Sequence, residues 1–493
     1  MISLLSFLWF LRENKALLFW LYLWQLKEYH VGRFIDHFRT AKGKNLLFNK
    51  LSILKIIFIP LFFAFPILVF FALIIIYIAE GAKFVLDLFR KKIKKPVFTK
   101  KTILLITTGL AAELLFLLFL FGYSLDNVVT IAFCLLVFDV LSPLIISLIV
   151  LLLQPLAVFG RNRIIKKAKE NREKFKDLLV IGITGSYGKT STKEILAEIL
   201  SKRFKVLKTK DHQNSEVGIS QCILQELKPE HEIFVVEMGA YNRGGIKLLA
   251  EIVRPKIGIL TGINEQHMST FGSQKNIIQT KYELIESLPE DGTAFFNGKN
   301  KYCRGLYERT KIKKILYGEN VQLAGMENFE GAKAVALELG MSREEIDKAL
   351  AEASPRQTEM QMKKGINGLK IIDSSYSANP TGVIADLDYL KTLPGKKIVI
   401  MPCLIELGSA SKEVHRRIGK KIGEICDLAI ITTKDRFKEI QEGAGEKAIF
   451  MENSREIFEK IKSFAREGDV VLLESRVSHS MNLTNQLIRL LTL

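Results

Sequence analysis

The sequence predicts an α/β protein: an N-terminal helical membrane region, then a P-loop ATP-binding domain on a parallel sheet, then a C-terminal Rossmann-like domain. Three observations carry this. Long apolar runs crowd the first 160 residues. A glycine-rich turn, Thr184-Gly185-Ser186-Tyr187-Gly188-Lys189-Thr190-Ser191, follows a short apolar run and opens a helix-like stretch. From Leu178 onward, short β-rich runs alternate with amphipathic segments, the pattern of a parallel sheet covered by helices.

Met1 to Gln25 is apolar but interrupted by Arg12-Glu13-Asn14-Lys15, which suits one imperfect span or an interfacial helix. Leu51–Ala79, Thr102–Gly122 and Val128–Phe159 each exceed the roughly 18 apolar residues that mark a spanning helix. Arg90–Lys101 and Arg161–Lys176 hold seven and eight basic residues, whereas Tyr123–Asn127 has none. The last two spans therefore read as a hairpin with both ends in the cytoplasm. Lys27–Lys50 is basic as well, so either the 51–79 segment folds back near Pro60 and Pro66 or one loop breaks the charge rule. Glu113 and Asp139 lie within apolar spans, where a functional acid and a partnered one are equally open.

The expected location is the inner (plasma) membrane, multi-pass, with the lipid bilayer as a partner and the catalytic domains in the cytoplasm. The formal charge of +19 would suit nucleic acid, but residues 1–177 hold 25 Lys and Arg against 11 Asp and Glu. Most of the excess thus flanks apolar segments, and no nucleic-acid partner is expected. Five scattered cysteines without a C-x-x-C suggest neither disulfides nor a zinc site. The chain divides into a membrane region with three or four helices (1–160), a basic linker (161–177), a central domain (178–363) and a C-terminal domain (364–493).

In the central domain, Leu178–Ile183 reads as a buried strand and Lys193–Leu200 as a helix. Strand, glycine turn and helix is the setting of a phosphate-binding loop, whose backbone N–H groups converge on a polyphosphate. Lys189 would reach the β- and γ-phosphates and Thr190 would ligate Mg²⁺. The strict G-x-x-x-x-G-K-[ST] spacing fails at Ile183, leaving Thr-Gly-x-x-Gly-Lys-Thr. Ile233–Ala240 is a strand ending in an acid, which makes Glu237 the metal-holding candidate. Pro255–Ile263 and Asp291–Phe296 are further strands, with a helix over 274–288 between them. The C-terminal domain takes strands at 369–373, 397–401, 428–432, 448–451 and 470–473, and it lacks the G-x-G-x-x-G fingerprint of a dinucleotide fold.

The order of these pieces resembles the Mur ligase family, the ATP-dependent amide ligases of peptidoglycan synthesis. It is most similar to the branch that adds D-alanyl-D-alanine to a UDP-muramoyl tripeptide. The matching residues are Thr184-Gly185-x-x-Gly188-Lys189-Thr190, then Asn214 and Gly218, then Glu237-Met238-Gly239-Ala240. His267-x-x-x-Phe271-Gly272-Ser273, Lys281 and Glu283 follow, then Asp373, Tyr376, Ala378-Asn379-Pro380, Glu406-Leu407-Gly408 and His415.

The resemblance implies that Lys189 and the loop amides bind the phosphates of ATP. Thr190 and Glu237 would hold one Mg²⁺, and His267 would sit by a second. Lys281 resembles the lysine that the family carbamylates to bridge metals, and Asn297 occupies the adenine-contacting position. Asn214, Asp373, Tyr376, Asn379 and Glu406 are the candidate substrate contacts. The implied chemistry is activation of a carboxylate as an acyl phosphate, followed by attack of an amine such as D-Ala-D-Ala. The acceptor would be a peptidoglycan precursor or another carboxylate. A glutamyl or poly-amino-acid ligase, or a membrane scaffold with a degenerate ATP-binding ligase body, are the alternatives.

Three features depart from the family pattern. The membrane region stands where a uridine-binding domain is expected. The Gly-x-His-Asn-x-x-Asn pattern reads Gly325-Met326-Glu327-Asn328-Phe329-Glu330-Gly331. The arginine expected near the domain junction aligns with Glu359, and Arg356 is its candidate substitute.

Overall fold

The structure, a computed structural model, describes residues 2–122, 128–210, 213–321, 325–352, 361–374 and 379–474. The chain forms two compact units, Met1–Asn162 and Arg163–Leu493.

The first unit is helical. One uninterrupted helix, Ile2–Leu26, covers the N-terminal stretch. Leu51–Ala79 is two helices, Lys50–Ala64 and Pro66–Phe89, broken at Phe65 (φ −135°, ψ 59°). They fold back on each other, because Lys55 Nζ meets Glu80 at 2.5 Å and Asp139 at 2.7 Å. Arg12 also reaches Asp139, at 2.6 Å. Asp139 is therefore a paired acid, as a buried charge must be. By length and composition alone, four helices of the described residues are apolar enough to cross a membrane.

The second unit contains two sheets. In the first, β1 (Leu179–Thr184), β2 (Val206–Lys208), β3 (Ile233–Glu237), β4 (Ile257–Leu260), β5 (Thr293–Asn297) and β6 (Lys313–Tyr317) run parallel in the order β2-β3-β1-β4-β5-β6. Central strands covered on both faces need apolar side chains throughout, and β3 and β4 are buried along their full length. Ile181 and Val235 pack on Leu196 and Ile199 of the helix after β1, while Val180, Phe234 and Val236 pack on the opposite side.

The second sheet contains β7 (Gln361–Lys364), β8 (Lys370–Ser374), β9 (Lys397–Met401), β10 (Leu428–Ile431), β11 (Ala448–Phe450) and β12 (Val470–Glu474), in the order β11-β10-β9-β12-β8-β7. Only β7 is antiparallel, at the edge. Against it, the helices Ser411–Ile425 and Phe437–Ala444 approach backbone to backbone. A Cβ on Gly419 would lie 2.2 Å from the Ile440 carbonyl oxygen, and one on Gly443 would lie 2.3 Å from the Lys420 nitrogen.

β2, β6 and β7 were not expected from the sequence. β2 has three residues and β6 begins Lys-Lys, so neither presents an apolar run. The helix after the glycine turn starts at Lys189, four residues earlier than its apolar periodicity begins.

Gly419→Ala is expected to destabilise the protein by about 1–3 kcal/mol, because main-chain atoms must move to admit the methyl group. Thermal or urea unfolding of the variant checks this, and an unchanged transition would contradict the close helix contact.

Candidate functional site

The site is built where β1 and β3 end side by side. The parallel register sets Ile183 opposite Glu237, so the loop leaving β1 begins beside the last side chain of β3. Thr184 fixes the seam, its hydroxyl donating to the Met238 carbonyl at 2.9 Å. Ser186 N donates to Gly262 O at 2.7 Å, tying the loop to the end of β4. Gly188 has φ +75° and precedes the first helical residue, Lys189. A Cβ there would be strained by that φ and would sit 2.4 Å from Asn328 Oδ1. Ser191 lies in the first turn of that helix and is buried.

Lys189 Nζ donates to the Gly185 carbonyl at 3.0 Å, which folds the side chain over the loop. Thr190 Oγ1 donates to Glu237 Oε2 at 3.0 Å, and Asn214 Nδ2 donates to Glu237 Oε1 at 3.1 Å. The Glu237 backbone N–H donates to Thr209 Oγ1. Lys193, fully buried one turn beyond Lys189, lies 3.0 Å from Glu194 and 3.5 Å from Glu237. The sequence reading missed Lys193. Its spacing of four from Lys189, on the same helix face, was the available signal.

Lys281 is buried on helix Gln274–Glu286. Burial, helped by the nearby positive charge of Lys189 and opposed by Glu283, lowers its amine to about 7. A large share of this lysine is thus neutral near physiological pH. Glu283 itself accepts from Gly244 N and Lys247 N and caps helix Gly245–Val253.

His267 has φ +65°, unusual for a residue with a side chain, and its Nδ1 lies 2.6 Å from Glu406 Oε2. Glu406 also has positive φ, at +63°, and its carbonyl accepts from Ser269 N. Glu406 and His267 thus join the second sheet's loops to the first sheet's. Asn379 does the same, since its Oδ1 accepts from Asn264 Nδ2 at 2.9 Å while capping helix Pro380–Thr392. Asp373 pairs with Lys363 of the edge strand at 2.8 Å. Tyr376 and Arg356 lie outside the described residues.

Between the two sheets opens a cavity of about 630 Å³, lined in part by Tyr187, Asn264, Asn300, Glu327, Thr381 and Arg417. Asn297 is not among the lining residues; its Nδ2 donates to Thr261 O and its Oδ1 accepts from Lys299 N. Its amide is engaged with backbone on both sides, and Asn300 is the asparagine that lines the cavity. No set of three His, Cys, Asp or Glu side chains gathers in one place among the described residues.

Residues 183–339 match the Mur ligase middle domain, and residues 360–476 match the Mur ligase glutamate ligase domain. The chain belongs to the Mur ligase family. It is 32% identical over 269 residues to the UDP-N-acetylmuramoyl-tripeptide–D-alanyl-D-alanine ligase of Synechocystis sp., covering 49% of this chain and 59% of that protein. The Bacillus subtilis ligase of the same name is 27% identical, over 60% of this chain and 72% of that protein. Among solved structures, MurF from Thermotoga maritima in complex with ADP superposes with a TM-score of 0.60 at 25% identity, over 67% of this chain and 83% of that one. MurF from Acinetobacter baumannii gives 0.62 at 26% identity, over 67% and 80%.

This comparison corrects one expectation. The ligases that the chain resembles are cytoplasmic soluble enzymes, so the multi-pass location at the inner membrane is not upheld; the four apolar helices are a candidate by length and composition only.

His415, fully buried, accepts from Leu404 N at Nε2 and donates from Nδ1 to Ser411 O. Both nitrogens are used in the neutral ring, and burial holds its pKa below the usual histidine value. The unfolded state therefore takes up this proton first, and stability is lost as pH falls below about 6.5. His415→Gln, which keeps one donor and one acceptor, should flatten this acid-side loss in unfolding experiments between pH 7 and 5. An unchanged slope would show that other groups set it.

Proposed function

We propose that this protein is an ATP-dependent carboxylate–amine ligase that joins D-alanyl-D-alanine to UDP-N-acetylmuramoyl-tripeptide. The observation that carries the reading is the junction of Thr190, Glu237 and Asn214 beside the Lys189 loop. The chain spans 59% of the length of the Synechocystis ligase, and that relative's named substrates motivate those proposed here.

Loop amides and Lys189 hold the triphosphate, with the helix N-terminus adding favourable field. The Thr190 hydroxyl and Glu237 carboxylate are hard oxygen donors already within 3.0 Å of each other, which suits Mg²⁺. When bound, the ion supplies charge neutralisation at the phosphates. A second ion requires another anion. Carbamylation of Lys281 would provide it, since CO₂ adds to the neutral amine with release of one proton, and His267 would stand nearby.

The substrate carboxylate attacks the γ-phosphorus, and the bond to the β–γ bridging oxygen breaks to release ADP. The amine of the dipeptide then attacks the acyl carbonyl, and phosphate leaves with the carbonyl–oxygen bond pair and takes up the proton that the nitrogen gives up. The protein's part is placement and charge stabilisation. Asn214, Asp373, Tyr376, Asn379 and Glu406 are proposed to position the two substrates, Arg356 to assist at the nucleotide, and Asn297 to serve the adenine site.

Phosphate release by the full-length protein should require ATP, Mg²⁺, the muramoyl tripeptide and D-Ala-D-Ala together. Lys189→Ala should lower it by about 10²–10³-fold. Release that ignores the dipeptide, or survives Lys189→Ala, would refute the assignment. Depleting CO₂ from the buffer should slow the wild type, and bicarbonate should restore it. Lys281→Ala should be slow in both buffers, and a wild type indifferent to bicarbonate would remove the carbamate.

A further inference from the structure

The cavity beside the loop contains an unsatisfied acceptor. Glu327 forms part of its wall and is 8% exposed, and its Oε2 has no hydrogen-bond partner among the described residues. A buried carboxylate oxygen without a donor costs free energy, so its retention calls for an explanation.

The neighbouring groups do not supply the donor. The Tyr187 hydroxyl accepts from Asn300 Nδ2 at 3.2 Å and makes no hydrogen bond to Glu327 Oε2, and the same amide donates to Ile263 O at 2.9 Å. The Tyr317 hydroxyl donates to Leu260 O at 3.1 Å. Asn328, the next residue, faces the other way, its Oδ1 accepting from Thr192. Helix Met326–Glu338 begins after Gly325 at φ +88°, and this start places Glu327 in the first turn, at the cavity wall.

Tyr187 belongs to the phosphate-binding loop and also lines the cavity. Tyr187 thereby connects the loop to the cavity that Glu327 walls. We infer that Glu327 reads the nucleoside, its Oε2 accepting a hydrogen bond from one N–H or O–H donor of the bound nucleotide. The donor is the exocyclic amine of the base or a ribose hydroxyl. This rests on the ATP-binding reading above and deepens it, by assigning nucleotide specificity to a residue that stands where the family pattern has histidine.

A site with a buried acceptor discriminates strongly against a ligand that lacks the matching donor. The test is calorimetric binding to the full-length protein with Mg²⁺ present. The probes are ATP, 2′-deoxy-ATP, 3′-deoxy-ATP and purine riboside triphosphate, which lacks the amine. One of the three analogues should bind the wild type at least about tenfold more weakly than ATP. In Glu327→Leu, which has similar length and no acceptor, ATP should weaken by a similar factor, and that analogue should bind as well as ATP does.

Thermal unfolding of nucleotide-free Glu327→Leu separates this from a structural role, because removing an unsatisfied buried acceptor should leave the midpoint unchanged or raise it. The inference fails if no analogue is discriminated by the wild type, if discrimination survives in Glu327→Leu, or if that variant melts markedly earlier. A wild type that binds ATP but fails these tests overturns the inference alone. A wild type that does not bind ATP overturns both readings.

Discussion

The adjacency of two parallel strand ends governs the site. Because β1 and β3 are neighbours in register, the Lys189 loop and the Glu237 carboxylate emerge side by side, and Thr190 closes the gap with one hydrogen bond. A shift of one residue in either strand would turn Glu237 to the opposite face of the sheet. The apolar packing of Ile181 and Val235 on one face and Val180 and Phe234 on the other prevents that slip. The hydrophobic core thus sets the positions of Thr190 and Glu237 to within a hydrogen bond.

The two sheets meet through contacts that are costly in backbone conformation. His267 and Glu406 both adopt positive φ without being glycine, and they meet side chain to side chain at 2.6 Å. Conformations of this kind cost about 1–3 kcal/mol each and persist where surrounding structure over-determines them. Gly408, at φ +51°, allows close backbone approach to Met268 and Ser269 in the same region.

Much of this was legible in the sequence. The two-sheet α/β architecture followed from apolar runs at β1, β3, β4, β9, β10 and β12, each buried on both faces and therefore continuous in hydrophobicity. The order of strand, glycine turn and acid singled out Lys189, Thr190 and Glu237, and the structure places the loop and the acid side by side. The edge strands were not, because short or half-exposed strands such as β2 and β6 need few apolar residues. Lys193 and Glu327 escaped for a different reason. Each is a common surface residue type whose significance lies in being buried, and burial of one charged side chain is decided by tertiary packing. The paired role of Asp139 likewise required knowing that Lys55 and Arg12 converge on it.

The most direct test of the central claim is metal-linked nucleotide binding. A non-hydrolysable ATP analogue would be titrated into the full-length protein with and without Mg²⁺, for the wild type and for Glu237→Gln. The account predicts that Mg²⁺ tightens binding to the wild type and that Glu237→Gln loses most of this enhancement while retaining metal-free binding. An enhancement of equal size in both proteins would contradict it, because Glu237 would then have no part in holding the ion.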